Sequence, residues 1–192
     1  MYNKYFSDGI KSIYIVFGVL LFSVILGSMF CGMQNPSSSL EMREYLLGFF
    51  KSVGSINKFQ TSIGKLREFL VVFGVIFVSA FFKAGVILTL GMVLRQGFVI
   101  GFTLASFLKI FGVKGLLPMF CMLPELLIFL FVLLVFSSTS TKIAFLPLKN
   151  KKNFLIFFVF FSCFSGAIFS ISAFLNGYLT TTFMNWISSI ML

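Results

Sequence analysis

Long apolar runs divide this chain, and they restrict its fold more than any other feature. The first, residues 13–33, carries no charged side chain, and about 20 apolar residues are what an α-helix needs to cross the ~30 Å hydrocarbon core of a bilayer. Hydrophobic residues make up 59% of the chain and charged residues only 10%, whereas soluble domains carry about 25% charged residues. The sequence therefore predicts an all-α fold, a polytopic membrane helix bundle.

The hydropathy pattern favours about five transmembrane helices within a single membrane domain, residues 1–192. The second and third spans need a tight turn between them, and we expect it near residues 91–96, with Arg95 at the membrane surface. An alternative makes residues 69–82 a re-entrant segment and reduces the count to four. The predicted spans are residues 13–33, 69–91, 95–111, 116–138 and 154–174.

Residues 34–68 are the one sizeable polar segment, and they predict an amphipathic helix. Ser38 and Glu41 fit a capping box, S-x-x-E, and apolar residues follow at helical spacing. Such a helix lies in the membrane interface, docks against a partner or packs on the bundle of its own chain. The candidate docking residues are Tyr45, Phe49, Phe50, Lys58, Lys65 and Arg67.

The distribution of lysine and arginine predicts the orientation. The loop between the fourth and fifth spans carries lysines at 142, 149, 151 and 152, and lysine-rich loops stay in the cytoplasm. In a bundle of about five spans, this places the N-terminus in the cytoplasm and residues 34–68 and the C-terminus outside. The net charge of +10 is then explained by topology and anionic lipid, and no nucleic-acid partner is expected.

Two charged side chains lie deep in apolar runs, Lys83 in the second and Glu125 in the fourth. Each costs about 3 kcal/mol at the centre of a membrane helix, so one interpretation is an intramembrane ion pair. Each residue also has an interpretation without such a pair. The Lys83 side chain then extends to the cytoplasmic interface, and Glu125 is a protonated carboxyl or part of an ion path. Pro118 and Pro124 precede Glu125 and predict a kink in its helix.

Gly97, Gly101 and Ala105 form a row of small residues, one turn apart, in the third span. Rows of this kind let helix backbones approach closely. The motif is common in membrane helices, so it leaves open whether the row packs within the chain or joins two copies in a homo-oligomer.

Catalytic machinery is not expected in this sequence. The chain has no histidine, and its three cysteines, Cys31, Cys121 and Cys163, lie in or beside apolar runs without a CxxC pair. A catalytic zinc or a histidine-based nucleophile would need ligands or a base that are missing. We therefore expect neither an enzyme nor a metal or cofactor site.

The third and fourth spans show an ordered set of motifs. The stretch Arg95-Gln96-Gly97-Phe98-Val99-Ile100-Gly101-Phe102-Thr103 is followed by a glycine turn, Gly112 to Leu116, and by Leu123-Pro124 in the next helix. With Tyr45-Leu46 and Phe49-Phe50 in the polar segment, this order resembles stage II sporulation protein M and its wider family of small polytopic membrane proteins.

The resemblance implies a function that composition alone does not reveal. A member of that family is expected to act in the cell membrane as a scaffold or anchor of a peptidoglycan-remodelling complex, required for engulfment during endospore formation. Its expected partners are cell-wall hydrolases and other membrane subunits of the complex. The alternative is a small transporter, channel or permease-like subunit, in which Lys83, Glu125 and the Pro124 kink would line a hydrated path.

Overall fold

A computed structural model describes residues 2–145 and 148–191, with the side chains of residues 11–145 and 156–191. These residues form helices joined by short turns, with no strand among them. Two 3-10 turns, Val53–Ser55 and Gly112–Gly115, and one π-helical segment, Asn176–Thr180, lie between the α-helices. The α-helices are α1 (Tyr2–Gly32), α2 (Pro36–Ser52), α3 (Lys58–Ser79), α4 (Gly85–Phe111), α5 (Leu116–Phe145), α6 (Leu148–Leu175) and α7 (Thr181–Met191).

The predicted all-α fold class is confirmed by these elements. In the described part of the chain, three helical stretches are long and apolar enough to cross a membrane: Lys11–Gly32, Gly85–Phe145 and Ile156–Met191. Helix α3 is also long, at 22 residues, but Lys58, Lys65, Arg67 and Glu68 make its first half polar.

The second of these stretches is a helical hairpin. Gly112 has φ 55°, a backbone conformation that glycine adopts without strain. Beyond it, a side chain at Gly115 would collide with the Phe107 carbonyl. The returning α5 lies antiparallel to α4, since the Thr89 and Ser140 hydroxyls meet at 3.4 Å.

The turn between the second and third predicted spans lies earlier than expected. Helix α3 ends at Ser79 and α4 begins at Gly85, so residues 80–84 form the turn. Residues 91–96 lie inside α4, and Arg95 is an exposed helical residue there rather than a turn residue. The turn has the sequence Ala-Phe-Phe-Lys-Ala, which is almost entirely apolar. A hydropathy profile therefore does not distinguish it from the helices on either side.

Glycine makes this turn sterically feasible. A side chain at Gly85 would collide with the Ser79 carbonyl, so the chain reverses there only because Gly85 has none. Backbone hydrogen bonds stabilise the turn, and one of them runs from the Gly85 N–H to the Phe82 carbonyl at 3.1 Å.

Close glycine contacts join α1 and α4. A side chain at Gly27 would collide with the Phe98 carbonyl, and one at Gly101 would collide with the Val24 carbonyl. At Gly97 the obstructing atom is the Ser23 hydroxyl. Ala105, the last member of the predicted row, is half-buried. The structure therefore uses the glycines of this row within the chain, against α1.

Helix α2 packs on the end of the bundle. It begins at Pro36, two residues before the predicted cap Ser38, with proline at its first position, where no backbone donor is required. Phe50 and Val53 are buried in a cluster with Phe107 of α4 and Met184 and Ile187 of α7. Helix α2 therefore packs along one face against the bundle of its own chain.

Stacked phenylalanines fill the interface of α3, α5 and α6. Phe136 of α5 stacks on Phe73 at 4.5 Å and on Phe158 at 5.2 Å between ring centroids. Phe69 stacks on Phe129 at 4.4 Å. Aromatic contacts of this kind contribute to the packing that holds the three helices together.

Candidate functional site

Glu125 is the acidic side chain buried within the described bundle, with 3% of its surface exposed. It follows Pro124, the proline inside α5, which cannot donate a backbone hydrogen bond. Pro118 lies in the first turn of α5, where proline is tolerated. An irregular point of α5 therefore lies beside the buried carboxylate.

A second irregular point faces it. The π-helical segment Asn176–Thr180 interrupts the course of α6 into α7, and single π turns within helices are frequent at functional sites. The Asn176 side chain donates a hydrogen bond from Nδ2 to Glu125 Oε2 at 2.5 Å. One turn earlier, the Ser172 hydroxyl donates to the Glu125 backbone carbonyl at 3.2 Å.

The π-helical segment rests on α3. A side chain at Gly177 would collide with the Ser62 hydroxyl and lie close to the Lys58 carbonyl. The Thr181 hydroxyl donates to the Asn176 carbonyl at 3.1 Å. The backbone that carries Asn176 is therefore held on both sides, which fixes the amide against α5.

A small cavity of about 80 Å³ lies beside Glu125. Its polar wall comprises Lys65 of α3, Gln96 and Thr103 of α4, and Glu125 itself. Apolar side chains such as Phe69 and Phe129 close the remainder. The site therefore combines one carboxylate, one ammonium and two neutral polar groups from three helices.

Lys65 is the cation of this site. It forms an ion pair with Glu68, Nζ to Oε2 at 3.0 Å, and its Nζ lies 5.8 Å from the centroid of the Phe69 ring. The Lys65 charge attracts the Glu125 carboxylate and the Glu68 charge repels it. The two α3 charges thus partly cancel at Glu125.

The structure does not bring Lys83 and Glu125 together. Lys83 is exposed in the 80–84 turn, and no hydrogen bond or ion pair joins it to Glu125 among the described residues. Instead of Lys83, Asn176 is hydrogen-bonded to Glu125, and Lys65 lies on the same cavity wall.

The predicted docking residues divide into exposed and occupied groups. Tyr45 is 76% exposed and Phe50 is 1% exposed, so Phe50 is committed to the bundle. Lys58 donates to the Thr182 hydroxyl at 2.9 Å. Phe49 is half-buried, and Arg67 is exposed. Tyr45 and Arg67 therefore remain free for a partner, while Lys65 belongs to the cavity.

Lysines also cap two helices at the end of the bundle where α2 lies. Lys109 of α4 donates to the Cys31 carbonyl at 2.9 Å and to the Gln34 carbonyl at 3.3 Å, at the C-terminus of α1. Lys114 reaches the Ile190 carbonyl of α7 at 3.5 Å. Cationic side chains satisfy the unpaired carbonyls at helix C-termini, and sequence spacing gave no signal for these long-range contacts.

A cluster of hydroxyl groups lies at the opposite end. Ser79 lies 2.5 Å from the Thr89 hydroxyl and 3.2 Å from that of Ser140, and Ser140 donates to the Ile76 carbonyl at 2.9 Å. The neighbouring hydroxyls of Ser137 and Thr141 are buried without a hydrogen-bond partner. Hydroxyl contacts of this kind join helices in an apolar surrounding.

No group of three or more potential metal ligands from His, Cys, Asp and Glu occurs within the described residues. Cys31 is buried, Cys121 is half-buried and Cys163 is exposed. The site at Glu125 is therefore a polar cavity with a single acidic group. No protein-family profile, no curated protein and no solved structure matches this chain.

Proposed function

We propose that the chain crosses the cell membrane about five times, with the N-terminus in the cytoplasm. The hairpin of α4 and α5 supplies two of these spans, and α1, α3 and the continuous α6–α7 helix supply the others. At 1.5 Å per residue, the 27 residues of α4 extend about 40 Å, enough for a ~30 Å core. Each arm of the hairpin is thus long enough to span by itself.

The charges at the two ends support this orientation. The Ser12 hydroxyl donates to the Ser138 carbonyl at 2.9 Å, so the start of α1 lies beside the end of α5. Lys11, Lys83 and Lys142 belong to this end, and lysines 149, 151 and 152 begin α6. At the other end, five lysines and arginines are spread over residues 34–68, whereas four lysines of this end lie within residues 142–152. The lysine-rich end is the cytoplasmic one.

We infer that the protein acts as a membrane scaffold on the outer face. The observation that carries this proposal is the two-sided helix α2, whose Phe50 side is docked while Leu40 and Tyr45 remain 60% and 76% exposed. A helix held firmly along one side presents the other side as an ordered surface. The resemblance to the sporulation family suggests cell-wall hydrolases of an engulfment complex as partners.

Site-specific photo-crosslinking tests the scaffold. A photoreactive amino acid at Tyr45 is expected to capture a cell-wall hydrolase in sporulating cells. The same group at Phe131, which is 68% exposed but lies in the middle of α5, serves as the matched control on a membrane-facing surface. Equal capture at the two positions, or no hydrolase at Tyr45, would argue against α2 as the docking surface.

The cavity at Glu125 favours a second candidate function, a small transporter or permease-like subunit. Polar side chains within apolar helices mark solute or ion paths in many membrane proteins. Glu125→Gln and Lys65→Met are expected to change flux in reconstituted vesicles, whereas Lys83→Met, on the exposed turn, should leave flux unchanged. Normal flux in both cavity variants would exclude a path through this site.

A further inference from the structure

We propose that the cavity beside Glu125 binds a small monovalent cation, either a proton or an alkali-metal ion, against the Glu125 carboxylate. Binding of a cation at this one place requires neither scaffolding nor flux, because a bound cation can stabilise or regulate a bundle without crossing it.

One oxygen of the carboxylate is available for a ligand. Oε2 accepts the Asn176 amide, while no donor from the described residues reaches Oε1. The side chain is 3% exposed and forms part of the cavity wall. A buried charge left without a partner is costly, so the free oxygen requires a cation, a proton or water.

The cavity has the size and the lining for such a ligand. A water molecule takes up about 30 Å³, so about 80 Å³ admits a small ion with one or two waters. Gln96 and Thr103 bring an amide and a hydroxyl group to the wall. The Thr103 hydroxyl donates to the Val99 carbonyl at 2.8 Å, which leaves its lone pairs free. Oxygen atoms are the preferred ligands of hard cations.

The charge balance favours a monovalent ligand. On α3, Lys65 lies on the cavity wall and forms an ion pair with Glu68 at 3.0 Å, so its positive charge is partly offset. The cavity walls from α4 and α5 contribute no charge besides Glu125, and Asn176 is neutral. The site therefore carries at most one uncompensated negative charge, which a single monovalent cation is enough to neutralise, whereas a divalent ion would leave it positive.

Infrared difference spectroscopy on the purified full-length protein tests the proposal. Exchange of choline for Na⁺ at constant pH, and separately a change of pH without Na⁺, are recorded on the same protein film. A carboxylate band that responds to Na⁺ assigns an alkali-metal site. A carboxyl band that responds only to pH assigns a proton site.

Variants assign the band. The responding band is expected to be lost in Glu125→Gln and retained in Glu44→Gln, which removes an exposed carboxylate of α2. Should Glu125→Gln fail to fold, Glu125→Asp assigns the same band by shifting it. A spectrum in which neither Na⁺ nor pH changes any band that depends on Glu125 overturns the proposal. Loss of crosslinking at Tyr45, by contrast, would affect only the scaffold function.

Discussion

At the scale of residues, the bond between Asn176 and Glu125 fixes the polar site. Removing one partner of a buried hydrogen-bonded pair leaves the other unsatisfied, which costs about 1–3 kcal/mol. Asn176→Leu is therefore expected to lower thermal stability in detergent by that order, measured by unfolding followed with circular dichroism. Asn185→Leu, at an exposed asparagine of α7, is the control.

A double variant separates this bond from a general packing effect. Asn176→Leu combined with Glu125→Leu removes both polar groups, and replacing both can be nearly neutral. The double variant is thus expected to be more stable than Asn176→Leu alone. A double variant that is less stable than either single change would contradict the assigned pair.

Lys109 allows a second prediction at this scale. Its ammonium reaches the Cys31 and Gln34 carbonyls, and such a capping cation contributes about 1 kcal/mol. Lys109→Met is expected to lower the unfolding temperature, because the end of α1 loses its donor. Lys114→Met, with a longer contact of 3.5 Å, should have the smaller effect. The reverse order would contradict the capping role.

At the scale of elements, the contact between α1 and α4 depends on glycine. Gly27→Val and Gly101→Val would drive a side chain into a facing backbone, and overpacking of this kind costs about 1–3 kcal/mol or more. Both variants are expected to reduce the yield of folded protein, measured by size-exclusion chromatography in detergent. The controls are Gly18→Val in α1 and Gly91→Val in α4, where an added side chain meets nothing within 4 Å. Equal yields from all four would contradict the close crossing.

Sequence periodicity predicted the elements better than their ends and contacts. Long apolar runs predict helices, so α1 and the α4–α5 hairpin could be predicted from the sequence. The turn at residues 80–84 could not be predicted, because it is nearly as apolar as the helices around it. Its one lysine, Lys83, fell inside the predicted span of residues 69–91.

The sequence predicted the acidic residue of the candidate site but not the residue that binds it. Glu125 stands out as an acid in an apolar run. Its partner Asn176 lies 51 residues away in a segment whose π-helical geometry has no clear sequence signal. Lys65 was predicted as a docking residue and Gln96 only as part of a motif, and their place beside Glu125 follows from the packing of α3 and α4 against α5.

At the scale of the whole molecule, the proposed topology places the two ends of α4 on opposite sides of the membrane. Lys83 belongs to the lysine-rich end, and Val113 lies 82% exposed in the turn after α4. Charge asymmetry sets the orientation of such bundles, so we expect the Lys83 turn in the cytoplasm and the Val113 turn outside. A bundle of about five spans requires both placements.

Cysteine accessibility across the membrane tests this claim most directly. Lys83→Cys and Val113→Cys are introduced separately into a chain whose three cysteines have been replaced by alanine. A membrane-impermeant maleimide is then applied to intact and to permeabilised cells. We predict labelling of Val113→Cys in intact cells and of Lys83→Cys only after permeabilisation. Labelling of both positions from the same side would contradict the proposed topology, because α4 would then not cross the membrane.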